Sequence, residues 1–250
     1  MEKSEWFEEW FDTPFYHILY QNRDEEEAAN FVAKLIQAVG LEKGAKVLDL
    51  ACGKGRHSIQ LNKAGFDVVG ADLSANSIAQ AKTNEKDTLN FVVHDMREPL
   101  KDEKFDAIFN LFTSFGYFDD KKDNLKVLSA CYEMLNENGL LVIDFMNSLK
   151  VAKTLVKKEK KIIEDIHFDI SRSADTDYIY KSITFGHVGK QHCYTERVQA
   201  LQQKDFENLL KKANFTVKGF YGDYDLTTFD PEKSNRLIIV ATKNGYDHLD

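Results

Sequence analysis

The stretch VLDLACGKGRHSIQLNKAGFDVVGADLS, from Val47 to Ser74, combines a short apolar run, a glycine turn and a second apolar run. Together with Lys46, which precedes it, the first part of the stretch reads KVLDLA. This short apolar run is bounded by Gly44 and Gly53 and predicts a buried parallel strand. The segment SIQLNKAG predicts a returning helix, and DVVGADL predicts a second strand. The stretch is therefore a complete β-α-β unit with an acid, Asp72, at its far end.

The turn inside this unit is suited to a ligand that comes close to the backbone. Gly53 and Gly55 lie where the strand becomes a helix, and the N-terminus of a helix offers backbone N–H groups. A dinucleotide fingerprint would need a third glycine at position 58, where this chain has Ser58. Asp72 could accept hydrogen bonds from both hydroxyls of a ribose. Both nicotinamide and adenosylmethionine sites use such an acid, so both stay open here.

The alternation of strands and helices continues along the chain. Helices are predicted at residues 24–40, opened by Asp24, and for ANSIAQAKTNEK and DNLKVLSACYEMLNENG; strands are predicted for LNFVVHD, FDAIFNLF and LLVIDFMN. Five strands separated largely by helices predict a doubly wound, Rossmann-like parallel sheet. FTVKGFYG and NRLIIVATK have no helix between them and predict an antiparallel closing pair, which gives an α/β fold with seven strands.

Composition and charge favour some classes of protein over others. At 250 residues, one principal domain with a smaller appendage is expected. The formal charge of -8 gives no broad attraction for phosphate backbones, so a nucleic-acid partner is not expected. Three cysteines without metal-ligand spacing favour a reducing, cytoplasmic setting. No run approaches the roughly 20 apolar residues of a membrane span, and the acidic start is unlike a secretory leader.

Four elements together resemble a known family. VLDLACGKGRH, VVGADLS, VVHDMRE and the terminal strand pair are similar, in order and spacing, to class I S-adenosylmethionine-dependent methyltransferases, over about residues 44–147 and 215–243. Ala51 stands where the family usually has glycine, and DLACG is similar to the variant found in sugar-amine and other small-molecule methyltransferases. The resemblance implies S-adenosylmethionine as the cofactor.

The resemblance also implies a cofactor site. Asp49 and the loop from Ala51 to Gly55 would face the methionine part, Asp72 the ribose, and Asp95 with Met96 the adenine. A carboxylate satisfies the donor amine of adenine, and Leu73 and Met96 can supply apolar faces to the ring. Turn capping is the alternative interpretation of the two acids. The cofactor-binding candidates are Tyr20, Asp49, Ala51, Gly53, Gly55, Arg56, Asp72, Leu73, Asp95, Met96 and Phe112.

The loop NLFTSFGYFDD is expected to meet the methyl group and its acceptor. In-line displacement from a sulfonium needs chiefly a nucleophile held about 3 to 3.5 Å from the methyl carbon. Tyr117 is the candidate for orienting the acceptor, and Phe112 for packing on the cofactor; a loop aromatic that fills the core is the alternative for Tyr117. Asn110 leads into LFT, so the N/D-P-P-Y pattern of many base and glutamine methyltransferases is absent.

The N-terminal segment YHILYQNRD resembles an entrance segment whose aromatic residues cover the cofactor. Tyr16, Tyr20 and Arg23 carry that likeness, although an amphipathic helix packed on the sheet would also explain the tyrosines. Asp119, Asp120 and Asp144 are explained by a solvated helix start and a strand end. We therefore predict no metal site.

Between Val151 and Ala200 the sequence pattern changes. IIEDIHFDI, DYIYKSITF and QHCYTERVQA alternate and are separated by polar turns, which predicts an antiparallel meander. We predict that residues 151–200 form an inserted β cap on a methyltransferase domain made of residues 1–150, with an N-terminal helical lid, and residues 201–250. The cap is expected to line the acceptor pocket, or else to form a homodimer interface, through Tyr178, Tyr180, Phe185, Tyr194 and Arg197.

The leading hypothesis is a methyltransferase for a small-molecule acceptor, N-directed or O-directed. Three alternatives stay open at this point. They are a nicotinamide-dependent oxidoreductase, a methyltransferase for RNA or protein, and a non-catalytic module that binds S-adenosylmethionine.

Overall fold

The computed structural model describes residues 5–21 and 25–243; the predicted roles of Arg23 and Asp24 lie outside these ranges. The strands in chain order are β1 (Lys46–Leu50), β2 (Asp67–Asp72), β3 (Leu89–Val93), β4 (Phe105–Asn110), β5 (Leu135–Met146), β6 (Lys158–Ile163), β7 (Ile166–Ala174), β8 (Tyr178–His187), β9 (Lys190–Gln199), β10 (Phe215–Tyr221) and β11 (Arg236–Lys243). The helices are α1 (Trp6–Phe11), α2 (Pro14–Leu19), α3 (Glu25–Val39), α4 (Arg56–Lys63), α5 (Ala75–Ala81), α6 (Asp123–Met134), α7 (Ser148–Thr154) and α8 (Gln203–Lys212).

The main sheet has seven strands in the order β10-β11-β5-β4-β1-β2-β3. β1 pairs in parallel with both β2 and β4, and β11 pairs antiparallel with both β5 and β10. β1 is an interior strand of this sheet, and its residues after Lys46 are all buried, as expected for a strand covered on both faces. The predicted doubly wound sheet with an antiparallel closing pair is confirmed.

Two apolar clusters cover the two faces of this sheet. One cluster contains α6, α8 and the loop around Phe115; the other contains α3 and α4. Because β1, β2, β3, β4 and β5 run in parallel, the loops that follow them share one edge of the sheet, which we call the carboxyl edge.

The boundary between α6 and β5 differs from the prediction. The helix was expected to continue through Gly139, whereas α6 ends at Met134 and β5 begins at Leu135. Leu135 already pairs with Phe105 of β4, and Asn138 adopts a φ of +62°, which a helix does not allow. Pairing with the neighbouring strand therefore outweighs the helical pattern at residues 135–139.

A second sheet of four antiparallel strands, β6-β7-β8-β9, follows β5 in the sequence. The predicted antiparallel arrangement is confirmed, but IIEDIHFDI is not one strand. Glu164 and Asp165 both have positive φ and form a tight turn between β6 and β7. β6 begins in the lysine-rich stretch at Lys158, and such charges are common on the edge strands of sheets.

The N-terminal segment, residues 5–21, lies between the two sheets. Phe7 of α1 belongs to a core cluster of the main sheet, whereas Trp10 and Leu19 pack with Phe168 and Phe185 of the second sheet. The segment therefore connects the carboxyl edge of the main sheet with one face of the second sheet.

Candidate active site

The turn between β1 and α4 adopts a backbone conformation that favours glycine. Gly53 and Gly55 have φ values of +57° and +82°. A Cβ atom on Gly55 would lie 2.6 Å from the Phe91 ring, whereas one on Gly53 would meet nothing within 4 Å. Ala51 also has a positive φ, +62°, so it carries strain that glycine would avoid. Gly55 is thus required by packing, and Gly53 borders open space.

The Asp72 carboxylate connects this turn to the start of α5. Its Oδ2 accepts a hydrogen bond from the Gly53 N–H and its Oδ1 accepts one from the Ser74 N–H, both at 2.8 Å. Burial raises the pKa of Asp72, although these backbone N–H groups oppose that rise. A carboxylate has about four acceptor positions, so Asp72 retains capacity for two ligand hydroxyls. Leu73 beside it is 36% exposed and presents apolar surface.

Asp49 is a deeply buried acid of the carboxyl edge. It is 1% exposed, and its Oδ2 accepts a hydrogen bond of 2.5 Å from the Ser58 hydroxyl. Burial raises the pKa of Asp49 to about 6, against the lowering effect of the Ser58 hydrogen bonds. A cationic group placed nearby would favour the ionised form. Ser58, which stands where a dinucleotide fingerprint would have its third glycine, therefore fixes this carboxylate by a hydrogen bond.

Asp95 follows β3 and is held by a neighbouring cation. The Arg97 side chain contacts both Asp95 oxygens at 2.7 to 3.1 Å and also contacts Glu5 and Asp123 at 2.7 and 3.1 Å. Partial burial raises the pKa of Asp95, but its hydrogen bonds with Arg97 outweigh this and hold the pKa below the usual value. Asp95 is therefore ionised and fixed in orientation. Met96 packs against the main core.

The loop after β4, residues 111–117 and here called the β4 loop, is strained and tightly anchored. Phe112 and Thr113 have φ values of +67° and +57°. The Phe112 N–H donates to Asp144 Oδ2 at 3.1 Å, and Arg236 donates through Nε to Asp144 Oδ1 at 2.8 Å and through Nη2 to Thr113 Oγ1 at 2.9 Å. Tyr224 also donates to Asp144 Oδ2, at 3.3 Å.

Phe112 and Tyr117 lie at opposite ends of this loop. The Arg56 guanidinium stands 5.0 Å from the centre of the Phe112 ring, a cation–π distance. The Tyr117 hydroxyl donates to the Thr113 carbonyl, and the Trp6 Nε1 donates to the Tyr117 carbonyl at 3.2 Å. The Tyr117 side chain is thereby oriented within the loop.

The N-terminal segment is attached to the carboxyl edge at two places, after β3 and after β2. Glu5 forms an ion pair with Arg97 at 2.7 Å. Asp12 accepts hydrogen bonds from the Ser74 hydroxyl at 2.6 Å and from the backbone and side chain of Asn76 at 3.0 and 2.8 Å. The segment therefore passes across the edge from the end of β3 to the start of α5.

Tyr20 lies against the second sheet. Its hydroxyl contacts both oxygens of Glu196, at 2.7 and 3.0 Å, and the Lys181 ammonium, which stands 4.3 Å from the centre of the Tyr20 ring. Trp10 donates to the same Glu196 carboxylate at 2.8 Å. Burial, and secondly Glu196, raise the pKa of Tyr20 well above its usual value. These hydroxyl contacts fasten α2 to the second sheet, and a role of Tyr20 toward a cofactor stays a prediction.

The residues predicted to line one cavity in the second sheet lie on its two faces. Phe185 and Tyr194 pack in the cluster formed with the N-terminal segment. Tyr180 lies opposite Arg197 in the pairing of β8 with β9, and Arg197 stacks on Tyr178 at 4.8 Å. Because side chains alternate between faces along a strand, these three residues occupy the other face. The expectation of one shared lining is therefore wrong.

Comparison with known proteins identifies the family. Residues 47–139 match the model of a family described as a methyltransferase domain. YqeM of Bacillus subtilis (strain 168), a methyltransferase by name, is 30% identical over 222 residues, which cover 84% of this chain and 89% of that protein. The chain belongs to the S-adenosylmethionine-dependent methyltransferases. The alternative of a nicotinamide-dependent oxidoreductase is therefore wrong.

Further likenesses agree with this family. A glycine/sarcosine N-methyltransferase of Aphanothece halophytica is 40% identical over 112 residues, 42% of each chain. An S-adenosylmethionine-dependent methyltransferase from Clostridium acetobutylicum superposes with a TM-score of 0.78 at 19% identity, over 92% of this chain and 96% of the other. The sugar N-methyltransferase KedS8 from Streptoalloteichus superposes with a TM-score of 0.73 at 19% identity, over 92% and 93%. The class I methyltransferase fold predicted from the motifs is confirmed.

The structure of this methyltransferase also shows residues that the sequence motifs did not single out. Asn110, at the end of β4, is 1% exposed; its Nδ2 donates to the Leu50 carbonyl at 2.9 Å, while its Oδ1 has no hydrogen-bond partner among the described residues. Arg236 and Asp12 contact the carboxyl edge from the end and the start of the sequence. No local pattern links them to the site, because their partners are 92 and 62 residues away.

Two kinds of feature are absent from residues 5–21 and 25–243. No group of three or more His, Cys, Asp or Glu side chains is arranged to hold a metal ion. No helix in these ranges is long and apolar enough to cross a membrane.

Proposed function

We propose that this methyltransferase transfers a methyl group from S-adenosylmethionine to an amine nitrogen of a small-molecule acceptor. The observation that carries the proposal is the row of carboxylates at the carboxyl edge, Asp49 in β1, Asp72 at the end of β2 and Asp95 after β3. Asp72 contacts the glycine turn at the same place, through the Gly53 N–H at 2.8 Å.

These acids suit the chemistry of the cofactor's three parts. The buried Asp49, with its raised pKa, is stabilised in its ionised form by an ammonium group such as that of methionine. Asp72 accepts from the ribose hydroxyls, and Asp95, held by Arg97, accepts from the adenine amine. When bound, the cofactor supplies a methyl group already activated by a sulfonium. The protein's part is to hold the acceptor in line and to exclude water.

An amine acceptor is favoured over a hydroxyl for two reasons. A neutral amine attacks without a strong base, whereas a hydroxyl gains more from one. Relatives that match this chain include a glycine/sarcosine N-methyltransferase and, in structure, a sugar N-methyltransferase. We assign Tyr117 the role of orienting the acceptor, because its side chain is fixed within the β4 loop by the Thr113 carbonyl.

The N-terminal segment serves as a lid in this proposal. Its attachments to Arg97 and to Ser74 lie on either side of the proposed adenine and ribose contacts. Trp6 contacts the Tyr117 carbonyl between them. A ligand at the carboxyl edge would therefore lie beneath the segment, shielded from water.

The proposed domain organisation keeps the predicted boundaries. Residues 1–150 and 201–250 form the methyltransferase domain, and residues 151–200 form a cap. Gln199 at the end of β9 supports this, since its side chain donates to the Phe118 carbonyl and accepts from Asn124, at 2.9 and 2.8 Å. Glu196 anchors the lid from the same strand. A homodimer formed through the uncovered face, and a cytoplasmic location, stay predictions.

The test is a transfer assay with S-adenosylmethionine labelled in the methyl group. Separate reactions contain glycine, sarcosine, an amino-sugar nucleotide, a catechol, bulk tRNA and an unmodified protein pool. Label is expected on the nitrogen of one of the first three. Label on the catechol oxygen, on RNA or on protein would contradict the proposal, and cofactor binding without transfer to any metabolite would favour a non-catalytic module.

A further inference from the structure

We propose that Arg236 is a positioning residue for methyl transfer, and that it acts by fixing the β4 loop through Asp144 and Thr113. The inference rests on the proposed function in one respect, which is that the β4 loop meets the reacting methyl group. The contacts between Arg236 and the loop do not depend on that assignment.

The first observation is the backbone of the loop. Phe112 and Thr113 are consecutive non-glycine residues in the left-handed region, with φ values of +67° and +57°. Thr113 is β-branched, and such residues are genuine outliers at positive φ. Conformations of this kind persist only where surrounding contacts impose them.

The second observation is the set of contacts that imposes the left-handed backbone of Phe112 and Thr113. Asp144 holds both strained residues, because its Oδ2 accepts from the Phe112 N–H at 3.1 Å and its backbone carbonyl accepts from the Thr113 N–H at 3.0 Å. The carboxylate is 1% exposed and therefore needs a counter-charge. Arg236, the first residue of β11, supplies it at 2.8 Å and reaches past it to Thr113 Oγ1 at 2.9 Å.

The third observation is what depends on the loop. The Thr113 carbonyl accepts the Tyr117 hydroxyl hydrogen bond, and the Phe112 ring lies against Arg56 at the start of α4. A shift of Phe112 and Thr113 would therefore move both Tyr117 and the aromatic face proposed to meet the cofactor. Arg236 touches neither ligand in this scheme and acts through these residues.

A purely electrostatic role for Arg236 makes a different prediction. If it only neutralises Asp144, Lys would serve as well, since it carries the same charge. A planar guanidinium can contact Asp144 and Thr113 at once with two nitrogens, whereas an ammonium is a single point charge on a flexible stem. Arg236→Lys therefore separates positioning from neutralisation.

The experiment measures amide hydrogen exchange of the β4 loop in the full-length protein without ligands. Arg236→Lys is expected to speed exchange at the Phe112 and Thr113 amides at least tenfold, with less than a twofold change in β1. The matched control is Arg172→Lys, because Arg172 is equally exposed at 20%, pairs with Glu159 at 2.6 Å and lies in the second sheet. It should leave loop exchange unchanged.

Thr113→Val tests the hydrogen bond that Arg236 donates to Thr113 Oγ1. It keeps the shape and the Asp144 pair but removes the oxygen that accepts from Arg236. We expect it to speed loop exchange on its own, and to add little when combined with Arg236→Lys, because both remove the same contact. Fully additive effects would overturn the shared-contact argument.

If Arg236→Lys unfolds the protein, the double variant Asp144→Asn/Arg236→Met keeps a side-chain oxygen that can accept from the Phe112 N–H and leaves no unpaired buried charge. Local opening of the loop in a folded double variant supports positioning. Unchanged loop exchange, or equal acceleration throughout the main sheet, overturns it. Single-turnover transfer with the acceptor found in the screen should fall at least tenfold in Arg236→Lys. Absence of transfer by the wild type would refute the proposed function alone, since the exchange result does not use an acceptor.

Discussion

The Asp72 carboxylate accepts a hydrogen bond from the Gly53 backbone at 2.8 Å, so a single side chain shapes the glycine turn and faces the proposed ribose position. Asp72→Ala should weaken S-adenosylmethionine binding by roughly 1.5 to 3 kcal/mol, as expected for lost hydrogen bonds to a charged group. Calorimetry should therefore show at least a tenfold rise in Kd. Asp67→Ala, at the other end of β2, is the control and should bind normally; equal losses in both variants would contradict the assignment.

The variants Gly55→Ala and Gly53→Ala should differ in which property they lose, fold stability or cofactor affinity. Gly55→Ala places a Cβ atom 2.6 Å from the Phe91 ring, and overpacking of this kind costs about 1 to 3 kcal/mol, so Tm should fall clearly. Gly53→Ala adds a methyl group in open space, so it should destabilise the fold less but weaken cofactor binding more. Thermal unfolding and calorimetry on both variants test this. A larger loss of stability in Gly53→Ala would contradict the geometry.

The raised pKa of Asp49 predicts opposite pH dependences for folding and for binding. Its native pKa is about 6 against 3.8 in the unfolded chain, so between these values the native state holds more protons than the unfolded state. The free energy of unfolding should therefore decrease as pH rises from about 4 to about 6, by as much as about 3 kcal/mol, and should not change further from this group above that range. Cofactor affinity should increase over the same range, because the ionised form attracts an ammonium.

Asp49→Asn isolates this effect. Denaturant unfolding and calorimetry between pH 4.5 and 7.5 should both become flatter in the variant than in the wild type. The raised pKa of Asp72 acts in the same direction in both proteins, so the difference between them reports chiefly on Asp49 and its interaction with Asp72. A variant that keeps the full pH dependence of binding would remove Asp49 from the cofactor site.

Tyr117→Phe separates catalysis from packing. The ring contacts with Trp6 and Phe11, at 5.4 and 5.3 Å between centroids, survive the change, whereas the hydroxyl is lost. We expect transfer to slow at least tenfold while cofactor Kd changes less than threefold. Tyr132→Phe, in α6, is the control. Parallel losses of Tm, binding and rate in Tyr117→Phe would make the hydroxyl structural through its bond to the Thr113 carbonyl.

The strands of the main sheet were predictable because their signals are local. A buried parallel strand is a short apolar run between turn residues, and β1, β2 and β4 each have one. The second sheet was predicted less well, because the turn at Glu164 and Asp165 contains neither glycine nor asparagine. Tyr180 and Phe185 lie an odd number of positions apart on β8, so the alternation of side chains along a strand places them on opposite faces, against the predicted shared lining.

The acids of the candidate site were also found from local patterns, since each lies at or near the end of a strand. The contacts that anchor the β4 loop could not be found from local patterns. Asp144 and Arg236 meet only because β11 inserts beside β5 in antiparallel register, where Arg236 lies opposite Met146. Such a pair follows from long-range topology, and a single sequence does not encode it in any short motif.

The place of β11 in the sheet has a consequence for synthesis on the ribosome. β11 is the last of the seven described strands along the chain, yet it lies between β5 and β10, and among the strands of residues 5–21 and 25–243 it is the only sheet neighbour of β10. Until residues 236–243 have been translated, the nascent polypeptide carries an open edge on β5 and an unpaired β10, which a chaperone would need to shield. Arg236 belongs to the same strand, so the β4 loop gains this anchor only after β11 has been synthesised.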